Sequence, residues 1–156
     1  MGFLSSDPFT DPRLGTFTRK GSRWLGSLQL APHGSVELRV AGDRKAPDPA
    51  ALAAAARVAD EYTALKEAIA AALFEHYEPY RDAADDEGDE GGVPVPAIAN
   101  AAGTWAHIRS AVVDVDVSRR EFPVEVRLEV AWDMEHTLGA RMKDGALVEL
   151  CGSTGP

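Results

Sequence analysis

The chain has 156 residues, of which 45% are hydrophobic and 26% charged, and its formal net charge of −9 corresponds to a pI of about 4.8. These proportions predict one water-soluble domain over residues 1–156, and the negative charge argues against nucleic acid or an anionic membrane as a partner. The single cysteine, Cys151, excludes an intramolecular disulfide and a multi-cysteine metal cluster, and it favours a reducing cytoplasm.

The first part of the chain predicts an irregular arm followed by a three-stranded meander. Residues 1–13 contain two prolines among polar residues, which is typical of an arm without regular structure. Apolar and polar residues then alternate, and they indicate strands at 16–19, 24–30 and 36–40. Residues 31–34, with the sequence APHG, have the length and residue types of a hairpin turn.

A long helix is predicted to follow this meander. Asp48 is a good N-cap, and Pro49 suits the first helical position, where a backbone N–H has no helical partner. Helical periodicity runs from residue 50 to residue 78, with a candidate break near Asp60, and Pro79 should end the helix within a turn. The predicted buried face consists of Val58, Tyr62, Leu65, Ile69, Leu73 and Tyr77.

An acidic flexible loop is predicted over residues 81–96. Its first part reads RDAADDEGDEGG, where like charges repel one another and no apolar residue favours packing. Ile98, Trp105 and Ile108 then have the spacing of a short second helix, with Asn100 as a candidate cap.

The last third of the chain predicts strands. Alternation is clearest over residues 124–132, where Val126, Leu128, Val130 and Trp132 should face the core. Two shorter strands, near 138–142 and 146–151, are joined by an Asp-Gly turn. The predicted fold is therefore α+β: a mostly antiparallel sheet of five or more strands, with one long helix and one short helix packed on it.

The segment WDMEHTLG, residues 132–139, concentrates the chemically useful side chains. Trp132, Asp133, Glu135 and His136 are the candidate binding residues, because two carboxylates and an imidazole can bind a divalent metal or form an acid–base pair. The competing interpretation is architectural. A buried Trp132, an Asp133 that accepts backbone hydrogen bonds and a Gly139 that allows close approach would only brace the link to the final hairpin.

Other polar residues give weaker indications. Asp114 and Asp116 lie on one strand face and suit either a hard cation or a solvated surface opposite arginines. His76 is either a base or a satisfied residue at the edge of the core. The sequence contains no phosphate-binding glycine loop, no serine nucleophile elbow and no His-Glu-x-x-His pair.

Three segments resemble a family of uncharacterised bacterial domains of similar length. These are FEHYEPYRD, TWAHIRS and AWDMEHTLGARMKDGALVELCGS, and the last carries the specific Trp-Asp-x-Glu-His-x-Leu-Gly pattern and a short hairpin. The resemblance implies that Trp132, Asp133, Glu135, His136 and Gly139 matter, either for folding or for function. The family is loosely similar in layout to small immunity-type domains.

The sequence therefore predicts a cytoplasmic, non-enzymatic interaction module that binds a basic protein, and the resemblance implies an immunity-like layout. No cofactor, metal or membrane span is expected, and no catalytic residue or oligomeric state can be assigned. The first alternative is a small metal-dependent or acid–base hydrolase built on Asp133, Glu135 and His136, and the second is a purely structural subunit.

Overall fold

In the part of the chain that the structure describes, eight β-strands form one sheet, and their order across the sheet follows their order along the chain. The computed structural model describes residues 6–87 and 94–152. The strands are β1 Phe9–Asp11, β2 Gly15–Lys20, β3 Arg23–Gln29, β4 Ser35–Ala41, β5 Ile108–Val115, β6 Val124–Val130, β7 Asp133–Lys143 and β8 Ala146–Gly152. Strands β4 and β5 pair in parallel, and every other neighbouring pair is antiparallel.

The connection from β4 to β5 contains the helices. They are α1 Pro49–Ala64, α2 Lys66–Glu87 and a 3-10 helix, Ala101–His107. The predicted architecture, one long and one short helix on a mostly antiparallel sheet of five or more strands, is wrong, because the described residues form a mixed eight-stranded sheet with three helices. Alternation in a sequence indicates which face of a strand is buried but not the direction in which the strand pairs.

The helical region departs from its prediction at two points. The break lies at Leu65 rather than near Asp60, and there the Leu65 amide donates to the carbonyls of both Glu61 and Tyr62, at 3.0 and 3.1 Å. Helix α2 also continues through Pro79. Both Pro79 and Glu75, whose carbonyl loses its helical donor, are exposed, so water can satisfy that carbonyl.

Two predicted irregular segments contain regular structure. Strand β1 lies inside the predicted arm 1–13 and pairs with β2, and Phe9 packs edge-on against Trp24 with ring centroids 6.5 Å apart. Residues 81–87 of the predicted loop 81–96 belong to α2, whereas residues 88–93 lie outside the described part of the chain. Near the loop's far end, the Tyr77 hydroxyl donates to the Pro96 carbonyl at 2.6 Å.

The core lies between one face of the sheet and the helices. The prediction that Val126, Leu128, Val130 and Trp132 are buried is confirmed, since at most 3% of each is exposed. On the helices, the predicted face is also buried at Val58, Tyr62, Ile69, Leu73 and Tyr77, whereas Leu65 is partly buried. Helix α2 therefore lies against the sheet, where its side chains can reach the β6–β7 hairpin.

Candidate functional site

The segment WDMEHTLG forms the turn between β6 and β7 and a bulge just after it. Val130 pairs with Asp133, so Ala131 and Trp132 make a two-residue turn, and the next pair in the ladder is Leu128 with Leu138. Between these pairs β6 has one residue, Glu129, while β7 has Met134–Thr137. We call Met134–Thr137 the β7 bulge. Bulges of this kind redirect side chains and are enriched beside functional sites.

Asp133 holds the β7 bulge in place. Its Oδ1 accepts hydrogen bonds from the amides of Glu135 and His136, both at 3.1 Å. The Nδ1 atom of His136 lies 3.1 Å from both carboxylate oxygens. Tyr80 of α2 donates its hydroxyl to Oδ2 at 2.8 Å. The carboxylate is buried and joins the helix to the bulge.

These contacts determine the ionisation of the carboxylate and the phenol. Burial opposes ionisation of Asp133, but hydrogen bonds from Tyr80, His136 and the two amides outweigh it and lower the pKa of Asp133. Burial, together with the hydrogen bond and the charge of Asp133, raises the pKa of Tyr80 to about 12. Near neutral pH, Asp133 is therefore an acceptor only and Tyr80 a donor.

Trp132 connects the turn to the same helix, α2. Its indole is buried, its ring packs edge-on against Tyr77 at 5.5 Å, and its Nε1 donates to Nδ1 of His76 at 3.0 Å. Because an indole N–H only donates, Nδ1 of His76 must be unprotonated, and neutral His76 carries its proton on Nε2. Burial lowers the pKa of His76, the charge of His136 lowers it further, and the charge of Asp133 partly opposes both effects.

Three consecutive side chains of the β7 bulge are exposed. Met134, Glu135 and His136 are all exposed, and Met134 is 55% accessible although it is a large apolar residue. The Met134 sulfur lies 2.9 Å from a guanidinium nitrogen of Arg109 on β5. Two buried residues, Trp132 and Asp133, thus support an exposed surface of mixed apolar and charged character.

The chemistry available at this site is limited but specific. Ionised Asp133 accepts from Nδ1 of His136, which leaves Nε2 of a ring whose side chain is 65% exposed free to accept a proton. In that arrangement Asp133 orients His136, as the carboxylate orients the imidazole in a catalytic Asp–His dyad. Over residues 6–87 and 94–152, no group of three or more His, Cys, Asp or Glu side chains has the geometry to hold a metal ion.

The end of α2 adds negative charge close to the site. Beyond Tyr80 the helix carries exposed Asp82, Asp85 and Asp86, and it has no basic residue in its last turn. At about 1.5 Å per residue, Asp85 lies only about 8 Å along the helix from Tyr80. Carboxylates at a helix C-terminus face its negative dipole end, which is unfavourable for the isolated domain.

The carboxylates Asp114 and Asp116 form a different cluster on the sheet face away from the helices. Asp114 is 1% exposed and pairs with Arg23 at 3.0 Å and Arg119 at 2.9 Å. Asp116 pairs with Arg23 at 3.1 Å. Neither carboxylate is therefore a free cation ligand, and Asp114 is buried rather than solvated.

Glu125 extends this charged cluster along the same face and was not singled out by the sequence. It is fully buried, and it pairs at 3.0 Å with Arg127 and at 3.0 Å with Arg141. Phe122 covers the cluster, with its ring centroid 4.3 Å from the guanidinium carbon of Arg141. The cluster joins β3, β5, β6 and β7 and is best explained as packing between strands.

Sequence reasoning also missed the contribution of α2 to the site. His76 and Tyr80 lie more than 50 residues before the turn that they contact. The usable signal was their spacing of four residues, which places both on one helix face beside the buried Tyr77. His76 is satisfied at the edge of the core, as one of its two interpretations predicted.

The fold and the site define a domain in which helices cover one face of a mixed eight-stranded sheet and support an exposed hairpin bulge. The chain belongs to the family described as Domain of unknown function (DUF6985), whose model matches residues 13–155. No curated protein and no solved structure matches the chain. In the part of the chain that the structure describes, no helix is long and apolar enough to cross a membrane.

Proposed function

We propose that this domain is a non-enzymatic, cytoplasmic interaction module that binds a basic partner protein through the β7 bulge and the acidic end of α2. The observation that carries the proposal is that Met134, Glu135 and His136 are exposed on a bulge fixed from below by Trp132 and Asp133. A rigid surface loses little conformational entropy on binding. An exposed apolar side chain among charged neighbours is typical of an interaction surface.

The charge of the surface favours a basic partner. Glu135 is exposed on the bulge, Asp82, Asp85 and Asp86 are exposed on α2, and the whole chain carries a formal net charge of −9. A basic partner would relieve the repulsion among these carboxylates and their unfavourable position at the helix terminus. Residues that break a local stability rule are often retained for function.

A crosslinking experiment tests the location of the surface. Among the described residues, Met134 and Val148 are the large apolar side chains that are most exposed, at 55% and 49%. A photoreactive amino acid placed at position 134 should capture a defined basic protein in host cells, whereas the same group at position 148 should not. Equal capture from both positions would exclude the β7 bulge as the binding surface.

A matched pair of charge reversals then tests the electrostatic part with the purified partner. Glu135→Lys should weaken binding about tenfold or more and reduce its dependence on salt. Glu67→Lys, at an exposed position in the first turn of α2, has the same effect on net charge and should change affinity less than about threefold. Similar losses for the two variants would mean that only the overall charge matters.

The second candidate function is a hydrolase that uses His136 as a general base. It is favoured by one observation, the 3.1 Å contact between Asp133 and Nδ1 of His136. In this case a panel of activated esters and amides would be cleaved by the wild-type protein and not by His136→Gln. Hydrolysis that persists unchanged in His136→Gln would eliminate this candidate.

A further inference from the structure

One of the hydrogen bonds that join α2 to the β6–β7 hairpin has a histidine as its acceptor. Trp132 is 3% exposed, so its indole N–H has little access to water and depends on Nδ1 of His76, 3.0 Å away. A protonated imidazole has N–H groups on both ring nitrogens and cannot accept this hydrogen bond. Protonation would therefore place two donors against each other and leave the buried indole without an acceptor, which is costly.

The hydrogen bond between Trp132 and His76 lies next to Asp133, which holds the β7 bulge in place. Trp132 immediately precedes Asp133, whose carboxylate accepts the amides of Glu135 and His136. A displaced Trp132 would move Asp133 relative to Tyr80 on α2. Because His76 is only partly buried, a proton from solvent has access to it without global unfolding.

We propose that protonation of His76 releases the Trp132 indole and loosens the β7 bulge, so that this surface is ordered at neutral pH and mobile in mildly acidic surroundings. The charged and titratable groups that face His76 are Asp133 and His136 from β7 and Tyr80 from its own helix. Asp133 favours the protonated imidazole and His136 disfavours it. As a mechanism for releasing the basic partner, this switch rests on the proposed function; the switch itself does not.

The structural test uses the indole N–H signals in an NMR titration from about pH 7.5 to about pH 4.5, the range in which histidines titrate. The Trp132 signal should shift with a single midpoint below 6.5, the ordinary histidine value. The protection factors of the Glu135 and His136 amides, which take account of the slower intrinsic exchange at low pH, should fall more than about tenfold at the acidic end. Trp24 provides an internal reference, because its indole donates to the backbone carbonyl of Asp43, and a backbone carbonyl does not titrate.

Two variants assign the effect to His76. His76→Gln retains a side-chain acceptor without a titrating proton, so its Trp132 signal should stay fixed. His136→Gln removes the neighbouring imidazole that lowers the pKa of His76, so the Trp132 midpoint should move to higher pH. A Trp132 signal that titrates equally in His76→Gln overturns the proposal, and so does one that never shifts in the wild type.

Two further outcomes separate this switch from global unfolding and from the proposed function. If core amides such as that of Leu128 lose protection in step with those of the bulge, the transition is global and the local switch is refuted. If the indole titrates as expected but crosslinking at position 134 fails, the switch stands and the proposed binding function falls.

Discussion

Gly139 on β7 leaves room for the carboxylate of Glu125 on β6. A Cβ atom at position 139 would lie 2.5 Å from Oε2 of Glu125 and 2.8 Å from its carboxyl carbon. Glu125 cannot easily yield, because it is fully buried and paired with both Arg127 and Arg141. A buried charge that loses its partners is strongly destabilising.

Gly139→Ala should therefore lower the free energy of unfolding by about 2–4 kcal/mol, a cost comparable to breaking a buried ion pair. Gly152→Ala is the matched control, because a Cβ at that strand position would meet nothing within 4 Å. Chemical denaturation of both variants measures the difference. If Gly139→Ala is as stable as Gly152→Ala, the close contact with Glu125 is not a constraint on this fold.

Trp132 should be the most sensitive position of the WDMEHTLG segment. Trp132→Ala removes a buried ring and should cost about 3–5 kcal/mol, whereas Trp132→Phe retains most of the packing and loses the hydrogen bond to His76. We expect Trp132→Phe to lose about 1–2 kcal/mol, on the scale of one buried hydrogen bond and some volume. Equal losses in denaturant unfolding would indicate that the hydrogen bond, not the ring, fixes the turn.

Asp133 should matter more for stability than His136. Asp133→Ala removes the acceptor of Tyr80 and of two bulge amides, and we expect a loss of about 2–4 kcal/mol, since hydrogen bonds to charged groups exceed neutral ones. His136→Ala removes one exposed partner and should cost no more than about 1–2 kcal/mol. Thermal unfolding of the two variants ranks them, and the reverse order would contradict the assignment of Asp133 as the support of the bulge.

The local features of this site could be predicted from the sequence, whereas its long-range contacts could not. Alternation over residues 124–132 correctly placed Trp132 in the core, and aspartate at a strand end correctly indicated a carboxylate that accepts backbone amides. These are local patterns. The contacts of Asp133 with Tyr80 and of Trp132 with His76 join residues more than 50 positions apart. A single sequence does not show which of its distant residues come into contact.

The errors in the predicted fold have equally specific physical causes. The parallel pairing of β4 with β5 was missed because alternation is the same for both strand directions. Pro79 was expected to end the helix, yet at an exposed position only one helical hydrogen bond is lost and the freed carbonyl is accessible to water. Glu125 has the position of a solvent-facing residue in an alternating strand, but it is buried and paired with Arg127 of its own strand and Arg141 of β7.

Stability should rise with pH through the histidine range. Burial lowers the pKa of both His33 and His76 from 6.5, so between the lowered values and 6.5 the unfolded chain binds more protons than the native one. The contribution of these two neutral histidines to stability is therefore fully present above pH 6.5. As the pH drops below 6.5, the free energy of unfolding falls with a slope of at most about 1.4 kcal/mol per pH unit for each proton.

Urea unfolding across this pH range checks the sign and the residues responsible. His33→Gln and His76→Gln should each flatten the profile, and the double variant should flatten it most. His33 is a useful comparison, because it contacts the Tyr62 hydroxyl at 2.8 Å and is remote in sequence from the β7 bulge. An unchanged slope in the double variant would place the proton uptake elsewhere.

The carboxylates at the end of α2 should lower the stability of the domain and strengthen binding of the basic partner. Replacing Asp85 and Asp86 with lysine places favourable charge at the C-terminal end of the helix, which should add about 0.5–1.5 kcal/mol in total to the free energy of unfolding. The same double substitution should weaken capture of the basic partner. A variant that becomes more stable and binds as before would remove α2 from the proposed surface.

The strand order has a consequence for how the chain assembles. Within β1–β4 and within β5–β8 the connections are short, the longest being residues 116–123, whereas the β4–β5 ladder joins residues on either side of the whole helical crossover. Closing that crossover carries the largest entropic cost of any ladder, so this ladder should form late on the folding pathway. Two fragments cut within the crossover would each retain a complete meander, and they are natural candidates for reconstitution of the sheet by fragment complementation.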